Sequence, residues 1–519
     1  MLGNKTVAII GGGPSGLVSC KSALESRLIP TVFEKNSDIG GVWSLSNGKV
    51  WDSLKTNLSV NTMMFSDYPW ESDWYYGSGD FPTHLEMTAY LERYVEHFKL
   101  KGHIKFGCNV TSVHQESNGL KWIVEYSTTS TIAEKNREPV TQKQTFDCII
   151  VAGGMFQKQR SIELVDKEKF TGEITSSGDY RNQTAFLGKS VLVVGDCNSG
   201  CEIAAELAEN TVIKVTQVIK KIPWVLDKYL TKPSSNENPL VFPVEVAFFS
   251  REGSDFAKKN FKSEQQSFID MNEWLSNVCS KQQTHKSLHK PMPSDVTPFI
   301  VISQNYTDCV INEKITVVQH PIAKIQGKTV EFANGESREI DHILCANGYS
   351  YELPYLSEEI LKDLDYNPNN KKIPIILHKS TFHPTLQNIG FVGWFLPAMF
   401  PIIELQARWL SLVFSENLEP PTKEQIVEGL KEERAILASP FQKQYPHVEM
   451  VDMGDEIATI IGVMPDLEKI KSEDPHLYKL IYNNAFSTSS YRLTGPHSNQ
   501  QLAKSILNNI NNKYYCKNK

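Results

Sequence analysis

Three glycines near the start of the chain are spaced to hold a pyrophosphate. In VAIIGGGPSGL, Val7 to Leu17, the residues Gly11, Gly13 and Gly16 fall at GxGxxG spacing behind an apolar run, Val7-Ala8-Ile9-Ile10, that reads as a buried strand. Gly11 permits the tight turn, Gly13 lets backbone approach the phosphates, and Gly16 lets helix pack on strand. Pro14 and Ser15 complete the turn, and a helix over Leu17 to Leu28 offers its free N–H groups and dipole to the phosphate charge. Thr31-Val32-Phe33 reads as the next strand, and Glu34, 23 residues beyond Gly11, stands where an acid grips a ribose hydroxyl. The pair Gly40-Gly41 before Val42-Trp43 suits backbone passing along a flat ring system. The same arrangement recurs later. The strand Ser190 to Val194 is followed by Gly195-Asp196-Cys197-Asn198-Ser199-Gly200 and a helix over Cys201 to Ala208. The strand Val212 to Ile219 after it ends in Lys220 and Lys221 instead of an acid, which suits the 2′-phosphate of NADP. Two such units imply two cofactors facing each other, a flavin reduced by a nicotinamide.

The elements around these turns must bring both units together. Asp147 to Gly154 is a buried strand ending in glycines that returns the chain to the first unit. Ile340 to Tyr349 reads as the crossing back from the second unit, and Phe391-Val392-Gly393-Trp394 follows the same pattern. Thr83-His84-Leu85-Glu86 is a capping box opening a structural helix, and Val110 to Val113 and Trp122 to Tyr126 are sheet strands, separated from Phe146 by a polar hairpin region. Residues 228–293 read as a polar, irregular insertion anchored by Trp274 and Leu275; from Pro421 onward the chain is helical, with Ile426, Leu430 and Leu437 on one side of its first helix. The expected fold is α/β, with two nested Rossmann-like dinucleotide-binding domains and a helical C-terminal region. The segments are 1–155 for the large domain, 156–338 for the smaller inserted one, and 339–519 for the return.

The 519 residues, 40% hydrophobic and 22% charged, have an ordinary globular composition. A net charge of −7 gives no electrostatic footprint for nucleic acid. Nine scattered cysteines without a CxxC pair argue for reduced thiols in the cytoplasm and against a zinc site. With a strand starting at Val7 no signal peptide is expected, and the apolar stretch Phe391 to Leu405 is too short to span a bilayer.

The chain resembles the flavin-containing monooxygenases, the animal and fungal type of class B flavoprotein monooxygenase. The likeness rests on the Gly11 turn, GGxW at Gly40 to Trp43, Thr56-Asn57 and FSDYP at Phe65 to Pro69. It continues through Phe170-Thr171-Gly172 to Tyr180-Arg181, NSG at Asn198 to Gly200, ANGY at Ala346 to Tyr349, ELQARW at Glu404 to Trp409, DPHL at Asp474 to Leu477 and YRLTGP at Tyr491 to Pro496. The resemblance implies that NADPH reduces FAD, that dioxygen adds to the reduced flavin as a hydroperoxide, and that bound NADP⁺ shields it. One oxygen atom then passes to a small-molecule substrate, a soft nitrogen or sulfur nucleophile or a carbonyl compound. The flavin carries the hard chemistry, so no metal is required. Asn57 is implied as the catalytic residue beside the flavin. FAD contacts are implied for Lys35, Gly41, Val42, Trp43, Thr62, Met63, Val110 and Gln406 besides the first glycine turn and Glu34. NADP contacts are implied for Gly195, Asn198, Ser199, Gly200, Lys220 and Asn347.

The departures from the family pattern fall in the NADP half. Ser176 stands where the fingerprint has histidine, and Asn347 where it has threonine. Cys197 replaces the second glycine of the turn and is expected to crowd the pyrophosphate, with Asp196 adding negative charge beside it. Two other readings therefore stay open: an NADPH oxidase releasing hydrogen peroxide, and a flavin-bound scaffold with a degraded NADP site. The substrate, the role of 228–293 and whether the chain forms a homo-oligomer are not written in the sequence.

Overall fold

In the computed structural model, which describes residues 4–71, 79–117, 119–128, 140–232, 240–260, 263–397, 399–441, 443–447 and 449–514, two five-stranded sheets carry the two glycine turns. The first sheet is parallel throughout, in the spatial order Ile389–Phe391, Cys148–Val151, Thr6–Ile10, Ile29–Phe33, Ile104–Lys105. Val7 to Ile10 and Cys148 to Val151 at its centre are buried, which explains their continuous apolar runs. The second sheet is parallel too, ordered Ile315–Val318, Lys214–Val218, Ser190–Val194, His342–Cys345, Glu173–Ser176. This is the α/β fold of two nested Rossmann-like units. Each sheet places a glycine turn and a helix after a central strand, with a second strand alongside.

The return of the chain comes later than the boundary at 338/339 expected from the sequence. His342–Cys345 pairs with Ser190–Val194 and is a strand of the second sheet. The crossing lies just beyond it, where Tyr349–Ser350 pairs antiparallel with Lys158–Gln159 of the outgoing passage. A strand ending in glycines marks the carboxyl edge of either sheet, so the pattern alone does not say which. Phe391 does belong to the first sheet.

The insertion is also more regular than its composition suggests. Residues 228–293 contain the antiparallel pair Tyr229–Lys232 and Leu240–Pro243 and the helices Arg251–Asn260 and Glu264–Val278. Residues 233–239 and 261–262 of it, and most of the polar hairpin region before Phe146, lie outside the described residues. Leu275 is a buried anchor as expected, but Trp274 is 36% exposed and rests edge-on against Phe248 at the rim.

The capping box forms as read, Thr83 accepting from the Glu86 N–H while Glu86 accepts from the Thr83 N–H, and opens the helix His84–His97. Behind the first sheet, the helices Pro14–Glu25 and Phe400–Phe414 share one apolar core. The C-terminal helices close over it, and Lys423–Ala438 places Ile426 and Leu430 inward and Leu437 against Ile373 and Ile376. Among the described residues no helix is long and apolar enough to cross a membrane.

Candidate functional site

Both glycine turns have the shape a pyrophosphate requires. Gly11 and Gly195 take φ of +111° and +142°, conformations that favour glycine. A Cβ on Gly16 would sit 1.8 Å from the Gly11 carbonyl oxygen, and one on Gly200 would sit 2.6 Å from that of Gly195. The helices that follow, Pro14–Glu25 and Asn198–Glu209, begin without a side-chain cap and with no acid in the first turn. Their first N–H groups are left for a ligand. In the first unit a Cβ on Gly13 would stand 3.3 Å from the Gly41 Cα, so the Gly40-Gly41 turn closes directly over the phosphate turn. Glu34 is 5% exposed and accepts from the Gly12 N–H at 2.6 Å and the Asn36 N–H at 2.8 Å. Lys35 beside it is exposed, while Gly41, Val42 and Trp43 are half-buried.

The second turn corrects one expectation. Asp196 does not simply load the phosphate site with charge: its Oδ2 accepts from the backbone N–H groups of Lys220 and Lys221, both at 3.1 Å. The arrangement inverts the first unit. There an acid after the second strand holds the turn; here an acid on the turn holds the residues after the second strand, and with them both lysines. Cys197 has extended backbone, φ −89° and ψ −179°, nearly that of Gly13, so the turn accepts a side chain without strain. Asn198 accepts from the Ile302 N–H at 2.9 Å, and Lys220 is exposed. Ser176 ends an edge strand, accepting from the Gly178 N–H.

Between the units lies a cavity of 660 Å³, walled by Trp51, Leu54 and Phe81 on one side and by Glu202, Lys228 and Tyr229 on the other. Asn57 lies two residues along the chain from Lys55, which lines this cavity. Its Oδ1 is buried without a hydrogen-bond partner, as an amide kept for a ligand would be. Lys228 donates from Nζ to the Thr56 carbonyl at 2.9 Å and lies 3.9 Å from Glu202. Burial drives both toward neutrality: it lowers the Lys228 ammonium against the pull of Glu202 and raises the Glu202 carboxyl against the pull of Lys228.

A family model described as FMO-like, flavin-binding monooxygenase-like, matches residues 4–516. The chain belongs to the flavin-binding monooxygenase-like family. Flavin-containing monooxygenase 3 of Macaca mulatta is 29% identical over 513 residues, covering 95% of this chain and 89% of the relative. The N-oxide-forming dimethylaniline monooxygenase 2 of Cavia porcellus is 29% identical over 528 residues, covering 97% and 91%. Among solved structures, S-allyl-L-cysteine S-oxygenase from Allium sativum superposes with a TM-score of 0.62 at 20% identity, over 97% of this chain and 98% of that one. An open form of cyclohexanone monooxygenase gives 0.61 at 17%, over 88% and 98%.

In this flavin monooxygenase, an oxidoreductase by its family, several of the residues singled out from the sequence are buried and held by internal hydrogen bonds. Gln406 is fully buried; its Oε1 accepts from the Gly393 N–H at 3.0 Å and its amide donates to the carbonyls of Lys379 and Ser380. Gly393 lies against the first glycine turn, since a Cβ there would meet the Ser15 hydroxyl at 2.5 Å. Val110 and Met63 are 6% exposed within separate apolar cores; Val110 pairs with Tyr126 in an antiparallel ladder, and the Met63 N–H donates to the Ser59 carbonyl at 3.0 Å. Thr62 is buried, its hydroxyl donating to the Ser59 carbonyl at 3.2 Å. Asn347 bridges the two crossing passages, donating to the Ser161 carbonyl at 3.0 Å. The motifs FSDYP, ELQARW and YRLTGP meet in one buried ion cluster, with Arg492 3.0 Å from Glu404 and 3.2 Å from Asp67, and Lys21 bound to Asp67. Burial raises the Asp67 carboxyl, but Arg492 and Lys21 outweigh it and hold the group below its usual range. Sequence reading missed Glu202, Lys228 and Glu245, because their partners lie more than a hundred residues away or on another element.

Proposed function

We propose that the protein is an FAD- and NADPH-dependent monooxygenase that passes one atom of dioxygen to a small molecule with a soft nitrogen or sulfur, or a carbonyl group. The observation that carries this is the pair of uncapped helix N-termini behind glycine turns on two nested sheets, with the buried, unpartnered Oδ1 of Asn57 two residues along the chain from the cavity-lining Lys55. The flavin, when bound, supplies hydride acceptance and dioxygen activation. The chain's own residues bind and orient. The N–H groups opening Pro14–Glu25 and the carboxylate of Glu34 hold the dinucleotide of the first unit, and the Gly40-Gly41 turn closes over it. Asn198, Ser199 and Gly200 open the helix that would take the nicotinamide dinucleotide's phosphates, while Lys220 reads its 2′-phosphate. The carboxamide of Asn57 offers a hydrogen bond at the reaction centre, and Trp51, Leu54 and Phe81 give the otherwise largely polar cavity an apolar face. Oxygenated neighbours of the fold include an S-oxygenase and a ketone monooxygenase, which supports both substrate classes.

The test is direct. Purified protein is expected to carry FAD and, given NADPH, to consume oxygen with little peroxide release in the presence of a sulfide or tertiary amine. Gly13→Val should abolish flavin retention, because the branched side chain would push against both phosphate and Gly41. Colourless wild-type protein that cannot be reconstituted with FAD refutes the proposal.

A further inference from the structure

The second unit grips the loop that carries Asn57, and it does so at two points on either side of that residue. Lys228 donates to the Thr56 carbonyl at 2.9 Å. Glu245, 1% exposed, accepts the Ser59 N–H on Oε1 at 2.8 Å and the Thr62 hydroxyl at 3.4 Å. The two grips are one piece of structure. The Lys228 carbonyl accepts from the Val244 N–H at 2.9 Å, across the base of the antiparallel ribbon Tyr229–Lys232 and Leu240–Pro243. A third contact, Tyr229 hydroxyl to Asp80 at 2.9 Å, reaches the strip whose carbonyl at Asp80 accepts the Val60 N–H. All of these prongs come from the 228–293 insertion, whose chemistry the sequence left unread.

We propose that Glu245 is a positioning residue for the oxygenation reaction: it fixes the 56–62 loop, and so the direction of the Asn57 amide, by accepting the Ser59 N–H. Two observations argue against a merely space-filling role. A buried carboxylate is costly, burial raises the Glu245 carboxyl, and its Oε2 has no hydrogen-bond partner. An apolar residue would fill the same volume without that penalty but could not accept the Ser59 N–H, which Glu245 takes at 2.8 Å. Secondly, Asn57 has no internal partner of its own on Oδ1, so its orientation depends on the backbone on either side. A loop held within a fraction of an ångström matters at such a centre, where a displacement near 1 Å costs about a hundredfold in rate.

The inference rests on the monooxygenase reading, and the experiment separates the two. Hydrogen exchange on the purified protein, with and without added FAD, reads the clamp itself. The amides of Ser59 to Met63 should be protected in wild type and in Glu245→Gln, whose carbonyl still accepts, and should exchange at least about tenfold faster in Glu245→Ala. Protection across Val7 to Ile10 should be equal in all three. Turnover reads its consequence. Glu245→Ala should release several-fold more peroxide per NADPH and lower kcat about tenfold while the KM for NADPH stays within about twofold; Glu245→Gln should restore coupling. If Glu245→Ala does not fold, Glu245→Asp, which falls short of Ser59 by one methylene, serves for both readouts. Loss of protection with full coupling, or a Glu245→Gln protein as uncoupled as Glu245→Ala, overturns the assignment. Wild-type protein that protects the loop but neither binds FAD nor oxidises NADPH refutes the monooxygenase reading instead.

Discussion

At the scale of single residues, the second glycine turn is where the chain departs most from the pattern it resembles. Asp196 anchors the backbone of Lys220 and Lys221, so the acid that looked like damage holds in place the lysine proposed to read the 2′-phosphate. Lys220→Ala should raise the apparent dissociation constant for NADPH about ten- to a hundredfold, the effect of losing a charged hydrogen bond of ~1.5–3 kcal/mol, and leave NADH little changed. Steady-state kinetics with both cofactors check it; equal losses would show that the lysine does not read the phosphate. Asp196→Ala should weaken NADPH binding in the same direction, by freeing two N–H groups. Residues like Glu34 and Gly16 were legible because a strand, a turn and a helix fix their spacing locally. Asp196 was legible as a departure but not as a hydrogen-bond acceptor, since its partners are 24 and 25 residues on.

Whole elements were easier to read than their company. The capping box and the buried strands appear where the sequence put them, because local sterics and burial decide them, whereas the first helix runs Pro14–Glu25, starting at the glycine turn and ending before Leu28. Which sheet His342–Cys345 joins is decided by pairing partners far away in sequence, and so it was misplaced. The docking of Lys423–Ala438 shows the same limit. Its Gly429 lies so close to His378 that a Cβ there would be 1.9 Å from the ring Nδ1. Burial, and then the neighbouring Lys379, lower the His378 imidazole to about 4. Between about 4 and 6.5 the unfolded chain therefore binds the extra proton, and stability must rise with pH across that window. The contribution is about 3 kcal/mol at full development. Thermal unfolding of wild type and His378→Gln from pH 4.5 to 7 should show the wild type losing more on acidification. Parallel curves would refute it.

At the scale of the molecule, the insertion ties the second unit to the C-terminal helices. Arg251 meets Asp455 through Nη2 at 2.6 Å and Nε at 2.9 Å, donates to the Ile481 carbonyl at 3.0 Å, and reaches the Tyr491 hydroxyl at 3.1 Å. Arg251→Ala should cost about 3–5 kcal/mol in denaturant unfolding, because Asp455 and Tyr491 lose their buried partner. Arg251→Lys should recover only part, since an ammonium cannot reproduce the two-pronged contact. A loss under 1 kcal/mol would show that this junction is not under load. The nesting of the sheets also dictates an order of events during synthesis. Every strand of the second sheet lies between residues 173 and 345, whereas the first sheet still lacks Ile389–Phe391, and the helix Phe400–Phe414 that covers it, when residue 345 leaves the ribosome. Domains fold as units as they emerge. The inner unit can thus close while the Val7–Ile10 strand, made before any strand of that unit, waits half-covered for its last neighbours. The outer sheet is begun before the inner one and completed after it.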